Sequence, residues 1–171
     1  MSADFLVDLS PGTRKFIKTL GLPIPMPQKL ARDTGPWTER PLHDKSVVIC
    51  PGPNAELSGV IGQTIAAAGA NPLLDGEGVA MGPFISAGEA WGRTPRALGA
   101  DEQVKANALV FDATGITDID DLKSVYDFFH SRIGGLASCG RVVVIGRPLD
   151  TANTVGAAAA QRALDGFAKA V

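Results

Sequence analysis

Four short, uninterrupted apolar runs, at residues 46–50, 71–74, 108–112 and 141–146, constrain this chain more than any other feature. A strand with one face in water alternates apolar and polar residues, whereas an unbroken run marks a strand covered on both faces. Helical stretches separate the runs at residues 55–68 and 118–133, and another follows at 151–171. Strand, helix, strand in repetition predicts an α/β fold: a parallel sheet of four or more strands, joined by right-handed crossovers, with helices on both faces.

The helices carry their own periodicity. In the middle one Ile119, Leu122, Tyr126, Phe129 and Ile133 recur at three and four, and in the last one Val155, Ala159, Ala163, Phe167 and Val171 recur at four. These stripes are the expected core faces. Thr117, with Asp120 three residues on, is the expected cap of the helix at 118–133. Residues 75–104 hold six of the 20 glycines and no clear period, which predicts a long irregular excursion. No Gly, Asn or Pro stop signal follows the last helix, which suggests a fragment of a longer polypeptide, a natural helical end being the alternative.

Residues 1–45 differ in kind from residues 46–171. A short helix over residues 11–20, stopped by Gly21 and Pro23, leads into a proline-punctuated arm that reaches Lys45. The arm is expected to lie over a neighbouring surface, with the α/β domain at 46–171.

Charge narrows the function classes. With 16 basic and 18 acidic residues the chain has a net charge of −2, and no basic stripe is available for nucleic acid. Cys50 and Cys139 show no CxxC spacing, which suits a reducing, cytoplasmic setting. No apolar run is long enough for a membrane span, and the N-terminus carries acids where a secretory signal needs bases.

Ligands of open α/β sheets bind beyond the carboxyl ends of the strands. The first such turn contains Pro51, Gly52, Pro53 and Glu56. Gly52 would let a backbone approach a phosphate, but Glu56 places a negative charge at the start of the following helix, where it satisfies the helix dipole and repels an anion. The residues best placed for a nucleotide are Gly52, Thr114, Gly115 and Arg147. Arg147, after the last strand, could fork to a phosphate or carboxylate, or simply pair with Asp150. Cys50 reads as an activated thiol or, more simply, a small buried residue. Asp112 and Asp118 bracket a turn and read as a metal pair or as helix caps. His43 and His130 have no acid or hydroxyl at a telling spacing. Trp91, Arg93 and Arg96 could form a lid over the strand ends, contact a second domain, or lie in a solvated loop.

The motifs resemble those of the short-chain dehydrogenases. Gly52, Glu56 and Ser58 stand at the spacing of that family's three loop glycines, and Gly69-Ala70 closes the following helix. Residues 110–117, 140–145 and 161–169 resemble its later strand ends and active-site helix. The resemblance places the family's catalytic tyrosine at Ala157, its lysine at Gln161 and its serine at Arg147, so it implies a Rossmann-like or flavodoxin-like scaffold without the reaction. Alanine has no proton to give, and glutamine lacks the ammonium that would lower a phenol's pKa. The strings at 108–117, 140–145 and 160–167 are similar to the N-terminal domain of high-molecular-weight 3-oxoacyl-[acyl-carrier-protein] reductases. That resemblance implies no catalytic residue, no metal and no cofactor in this chain. It implies NADH or NADPH in a C-terminal catalytic domain of the same polypeptide, a homodimer, and a role in docking, dimerisation or shaping access for a long acyl chain. The alternative is a binding module for a nucleotide or acyl-CoA. A flavin-carrying flavodoxin would need a hydroxyl-rich phosphate loop, and this loop has only Ser58.

Overall fold

The computed structural model describes residues 11–21, 35–76 and 81–170. The chain divides into two units, residues 1–35 and 36–171. In the first, α1 spans Pro11–Thr19, and Gly21 follows it at φ 64°, the left-handed conformation that ends helices. Most of the proline arm expected after it, residues 22–34, lies outside the described residues.

The second unit is a five-stranded, fully parallel sheet. Its strands are β1 (Ser46–Pro51), β2 (Asn71–Leu74), β3 (Arg96–Ala97), β4 (Ala106–Asp112) and β5 (Leu136–Ile145), in the order β3-β2-β1-β4-β5. Four strands in the order β2-β1-β4-β5 would fit a flavodoxin-like sheet as well as a Rossmann one. The two-residue β3, hydrogen-bonded outside β2, makes the order that of the Rossmann fold.

Helices α2 (Ser58–Ala67), α3 (Gly82–Glu89), α4 (Leu122–Arg132) and α5 (Val155–Ala170) cover both faces. Along β1, Val47 and Ile49 face Ile61 and Ile65 of α2 and Phe84 of α3. Val48 turns the other way, joining Leu109 and Phe111 of β4 against Val125, Phe128 and Phe129 of α4 and Ala160 and Leu164 of α5. Val48 and Ile49 are both completely buried, which is why the run shows no alternation. Residues 36–45 bond to this unit: the Leu42 N–H donates to Ala68 O at 2.9 Å and the Asn71 N–H to Lys45 O at 2.8 Å.

Several expectations require correction. The region read as irregular holds α3 and β3; Pro83 sits in the first turn of α3, where its missing N–H costs nothing, so the glycines and prolines punctuate short elements rather than forbid them. Thr117 caps no helix. Helix α4 begins only at Leu122, and the preceding turn is held by Asp118, whose carboxylate accepts the Asp120 N–H at 3.0 Å. The buried stripe of α4 is Val125, Phe128, Phe129 and Arg132, while Ile119, Tyr126 and Ile133 are exposed by 56%, 61% and 38%. In α5 the buried residues are Ala157, Ala160, Gln161 and Leu164, and Val155 is 88% exposed. A strict spacing of four drifts round a helix of 3.6 residues per turn, so the Val155 stripe could not stay on one face.

Candidate functional site: a closed crevice at the switch point

From β1 the chain moves to β2 on one side, and from β4 to β5 on the other. The carboxyl ends of β1 and β4 therefore flank the switch point, where open α/β sheets hold their ligands. The structure brings Gly52, Thr114, Gly115 and Arg147 together there, with Glu56, but as a brace rather than a cradle. Asp112, at the end of β4, is completely buried. Its carboxylate accepts the Leu57 N–H at 3.0 Å, the Thr114 N–H at 3.1 Å and the Thr114 hydroxyl at 2.6 Å. The same Thr114 oxygen accepts the Glu56 N–H at 3.0 Å.

Two amides at the entrance to α2, those of Glu56 and Leu57, are thus taken by the chain's own oxygens. An anionic ligand would want those donors. Arg147 closes the other side: its Nε donates to Thr114 O at 2.6 Å and its Nη2 pairs with the Glu56 carboxylate. Arg147 is accordingly not partnered with Asp150, as the simpler sequence reading had it. Gln161 locks the arrangement from α5, accepting the Arg147 N–H at 2.8 Å while its amide donates to Ala113 O at 3.0 Å and Ile116 O at 2.9 Å.

The glycines serve this closure. The Gly52 N–H donates to Asp112 O at 2.9 Å, and a Cβ at Gly52 would lie 2.7 Å from that oxygen. A Cβ at Gly115 would collide with the carbonyl oxygens of Pro53 and Asn54, both backbone. Gly115→Ala is therefore expected to destabilise the domain by about 2 to 3 kcal/mol, an overpacking cost with no flexible neighbour to yield. Urea denaturation of the variant beside the wild type checks this; a change under about 0.5 kcal/mol would show that the loop moves aside freely. A buried carboxylate, a second acid and a glycine-backed wall do not fit a dinucleotide pyrophosphate.

A second buried cluster was missed by sequence reasoning. Asp75 directly follows β2, about where dinucleotide-binding folds place an acid for the ribose. Here its carboxylate is held by Arg132, whose Nε and Nη2 donate at 2.8 and 2.6 Å. Arg132 is only 4% exposed and also donates to the carbonyls of Gly99 and Glu102. Asp75 holds the guanidinium's pKa above its ordinary value. An acid immediately after a strand was the available signal, but it stood at the edge of the stretch read as irregular.

Cys50 borders this cluster in a 420 Å³ cavity shared with Asp75, Phe128 and Arg132. Burial, then Asp75, pushes its thiol up to about 12 from 9.0. Iodoacetamide at pH 8 should alkylate Cys50 in the native protein roughly a hundredfold or more slowly than after unfolding, since only the thiolate reacts. Peptide mass spectrometry checks it, and labelling at equal rates would contradict the burial. Because the folded pKa is the higher one, Cys50's stability contribution is intact below about pH 9 and falls as pH rises toward 12.

The remaining candidates are placed elsewhere. His43 pairs with the exposed Asp44 at 2.9 Å, and His130 stacks on Tyr126 at 5.0 Å. Asp112 and Asp118 hold separate turns, and among the described residues no three His, Cys, Asp or Glu side chains gather to hold a metal ion. Trp91 and Arg93 form no lid over the strand ends. Helix α3 runs back along the sheet, so they sit at the amino ends, where Arg93 donates to Asn71 Oδ1 at 3.0 Å and the Arg40 guanidinium lies 5.7 Å from the Trp91 ring. Arg96 is engaged by Glu102 at 2.8 and 2.9 Å. No described helix is long and apolar enough to cross a membrane.

Solved short-chain dehydrogenases share this fold. One from Serratia marcescens superposes with a TM-score of 0.54 at 17% identity, over 74% of this chain and 66% of its own. Another, from Shigella flexneri, gives 0.59 at 14% identity over 77% and 68%. The chain thus spans about two thirds of the length of these proteins. No sequence-family model and no curated protein sequence matches it. What the chain shares with these short-chain dehydrogenases is the fold, a Rossmann fold.

Proposed function

We propose that residues 36–171 are a non-catalytic Rossmann domain belonging to a short-chain dehydrogenase-type 3-oxoacyl thioester reductase, with a structural role in docking and dimerisation. The observation that carries this reading is the closed crevice. Asp112, Thr114, Glu56 and Arg147 satisfy one another where a dinucleotide would be held, and the positions that the family resemblance assigns to catalysis are Arg147, Ala157 and Gln161. Hydride transfer, with NADH or NADPH, would belong to a C-terminal catalytic domain of the same polypeptide.

The docking role is supported by α4. Phe129 of the stripe that periodicity selects as a core face is buried, but Tyr126 on α4, Ile119 in the turn before it and Ile133 just past its end form an exposed apolar trio spaced seven residues apart. It is also symmetric in sequence about Tyr126. A second copy packed antiparallel about Tyr126 would set Ile119 against Ile133 of the partner. Tyr126→Glu is expected to shift the 171-residue chain from dimer to monomer in sedimentation velocity. A wild-type chain that stays monomeric at about 100 µM, far above the dissociation constants of stable dimers, would contradict dimerisation through this face.

A further inference from the structure

Strand β5 is the outermost of the sheet and, at ten residues, the longest described. Residues 141–145 run in regular parallel register with residues 108–112 of β4. The Ile145 carbonyl accepts the Ala113 N–H at 2.8 Å and so faces β4, and alternation along the strand turns the N–H and C=O groups of Val142 and Val144 the other way. Among the described residues no strand pairs with that side. Edges that stay free are kept short, charged or interrupted by proline. The opposite edge, β3, has two residues, whereas residues 142–145 are an unbroken apolar run in which Val143 is 42% exposed. Alongside lies a 720 Å³ groove lined by Leu136, Val142, Val143 and Val144 of the strand and by Leu164 and Ala168 of α5. Asp165, on the same wall, is taken by Lys169 at 2.8 Å, so the groove offers apolar surface and backbone polar groups.

An apolar wall beside a row of unused backbone donors and acceptors fits an added strand. The fold decides which one. Helices α4 and α5 pack on the same face of the sheet, where Ala160 and Leu164 of α5 join Val125, Phe128 and Phe129 of α4. The crossover from β4 through α4 to β5 steps outward across that face, and a right-handed crossover through α5 steps in the same direction. Helix α5 has 16 residues, about 24 Å, which is long enough to bring the chain back to the amino end of β5. We propose that the outer edge of β5 is a docking edge for the polypeptide that follows Val171, which adds there as a sixth strand parallel to β5, with alternate apolar side chains against Leu164 and Ala168. A second copy of β5, related by a twofold axis, would have to add antiparallel. The proposal goes beyond the α4 face and rests on the preceding reading in one respect, that the polypeptide continues past Val171.

The test is hydrogen exchange, read amide by amide, on the 171-residue chain and on the polypeptide expressed to the natural stop codon of its gene. The amides of Val142 and Val144 should exchange about a hundredfold or more slowly in the complete polypeptide than in the 171-residue chain, as amides do on entering a ladder. Those of Val143 and Ile145, which face β4, should be protected in both. Equal exchange of Val142 and Val144 in the two chains, or protection of one of them without the other, would overturn the proposal. Protection in the 171-residue chain that rises with its concentration would overturn it too, by putting a second copy on the edge. The sequence past Val171 keeps the outcomes apart: a continuation that holds no reductase would contradict the docking reading, while protection of the two amides would leave this one standing.

Discussion

Replacing Asp112 by alanine is expected to destabilise the α/β domain by about 3 kcal/mol or more. The substitution removes the shared acceptor of the Leu57 N–H, the Thr114 N–H and the Thr114 hydroxyl, all three bonded within 3.1 Å. Buried donors left without an acceptor carry their full desolvation penalty, about 1 to 3 kcal/mol each, which partial relaxation and water entry reduce but do not cancel. The melting temperature should fall by roughly 10 °C for a domain of this size. Asp112→Asn keeps the volume and one acceptor oxygen, so it should fall between the two. A wild-type melting temperature in Asp112→Ala would show that the crevice is not held by this carboxylate.

The comparable effect on the other side of the sheet is that of Arg132→Leu. Removing the guanidinium leaves Asp75, whose side chain is 13% exposed, as an uncompensated charge, and frees the carbonyls of Gly99 and Glu102 as well. Breaking a buried ion pair from one side costs about 3 to 5 kcal/mol, whereas replacing both partners by apolar residues is often close to neutral. The double variant Asp75→Leu with Arg132→Leu should therefore recover much of the loss in urea denaturation. If the double variant is less stable than Arg132→Leu alone, the pair is not what ties α4 to the end of β2.

Sequence periodicity made the sheet legible because strands buried on both faces write themselves as unbroken apolar runs, as Val47, Val48 and Ile49 do. It could not show β3, since two residues carry no period, and that strand decides between the Rossmann and flavodoxin orders. The helix faces misled for a physical reason. Helix α4 is apolar on two sides, and Phe129 belongs to both stripes; periodicity cannot tell a core face from an exposed one. The core face is completed by Arg132, a charged residue that pattern reading excludes and only its partner Asp75 explains.

The site was legible in its members and not in its wiring. Gly52, Glu56, Thr114, Gly115 and Arg147 were singled out separately, and all of them meet at the switch point. That Glu56 neutralises Arg147, and that Asp112 supplies the anion for the α2 entrance, depend on contacts between residues 55 and 91 positions apart. Such distances have no local signature.

The central claim is that the chain's own side chains occupy the crevice a nicotinamide dinucleotide would need. Isothermal titration of the purified 171-residue chain with NADPH, repeated with NADH, tests it most directly. The closed crevice predicts no saturable heat up to about 1 mM of either, well above the micromolar range in which an intact site would bind. A saturable isotherm, lost on Gly115→Val, would contradict it and make the brace a gate rather than a plug.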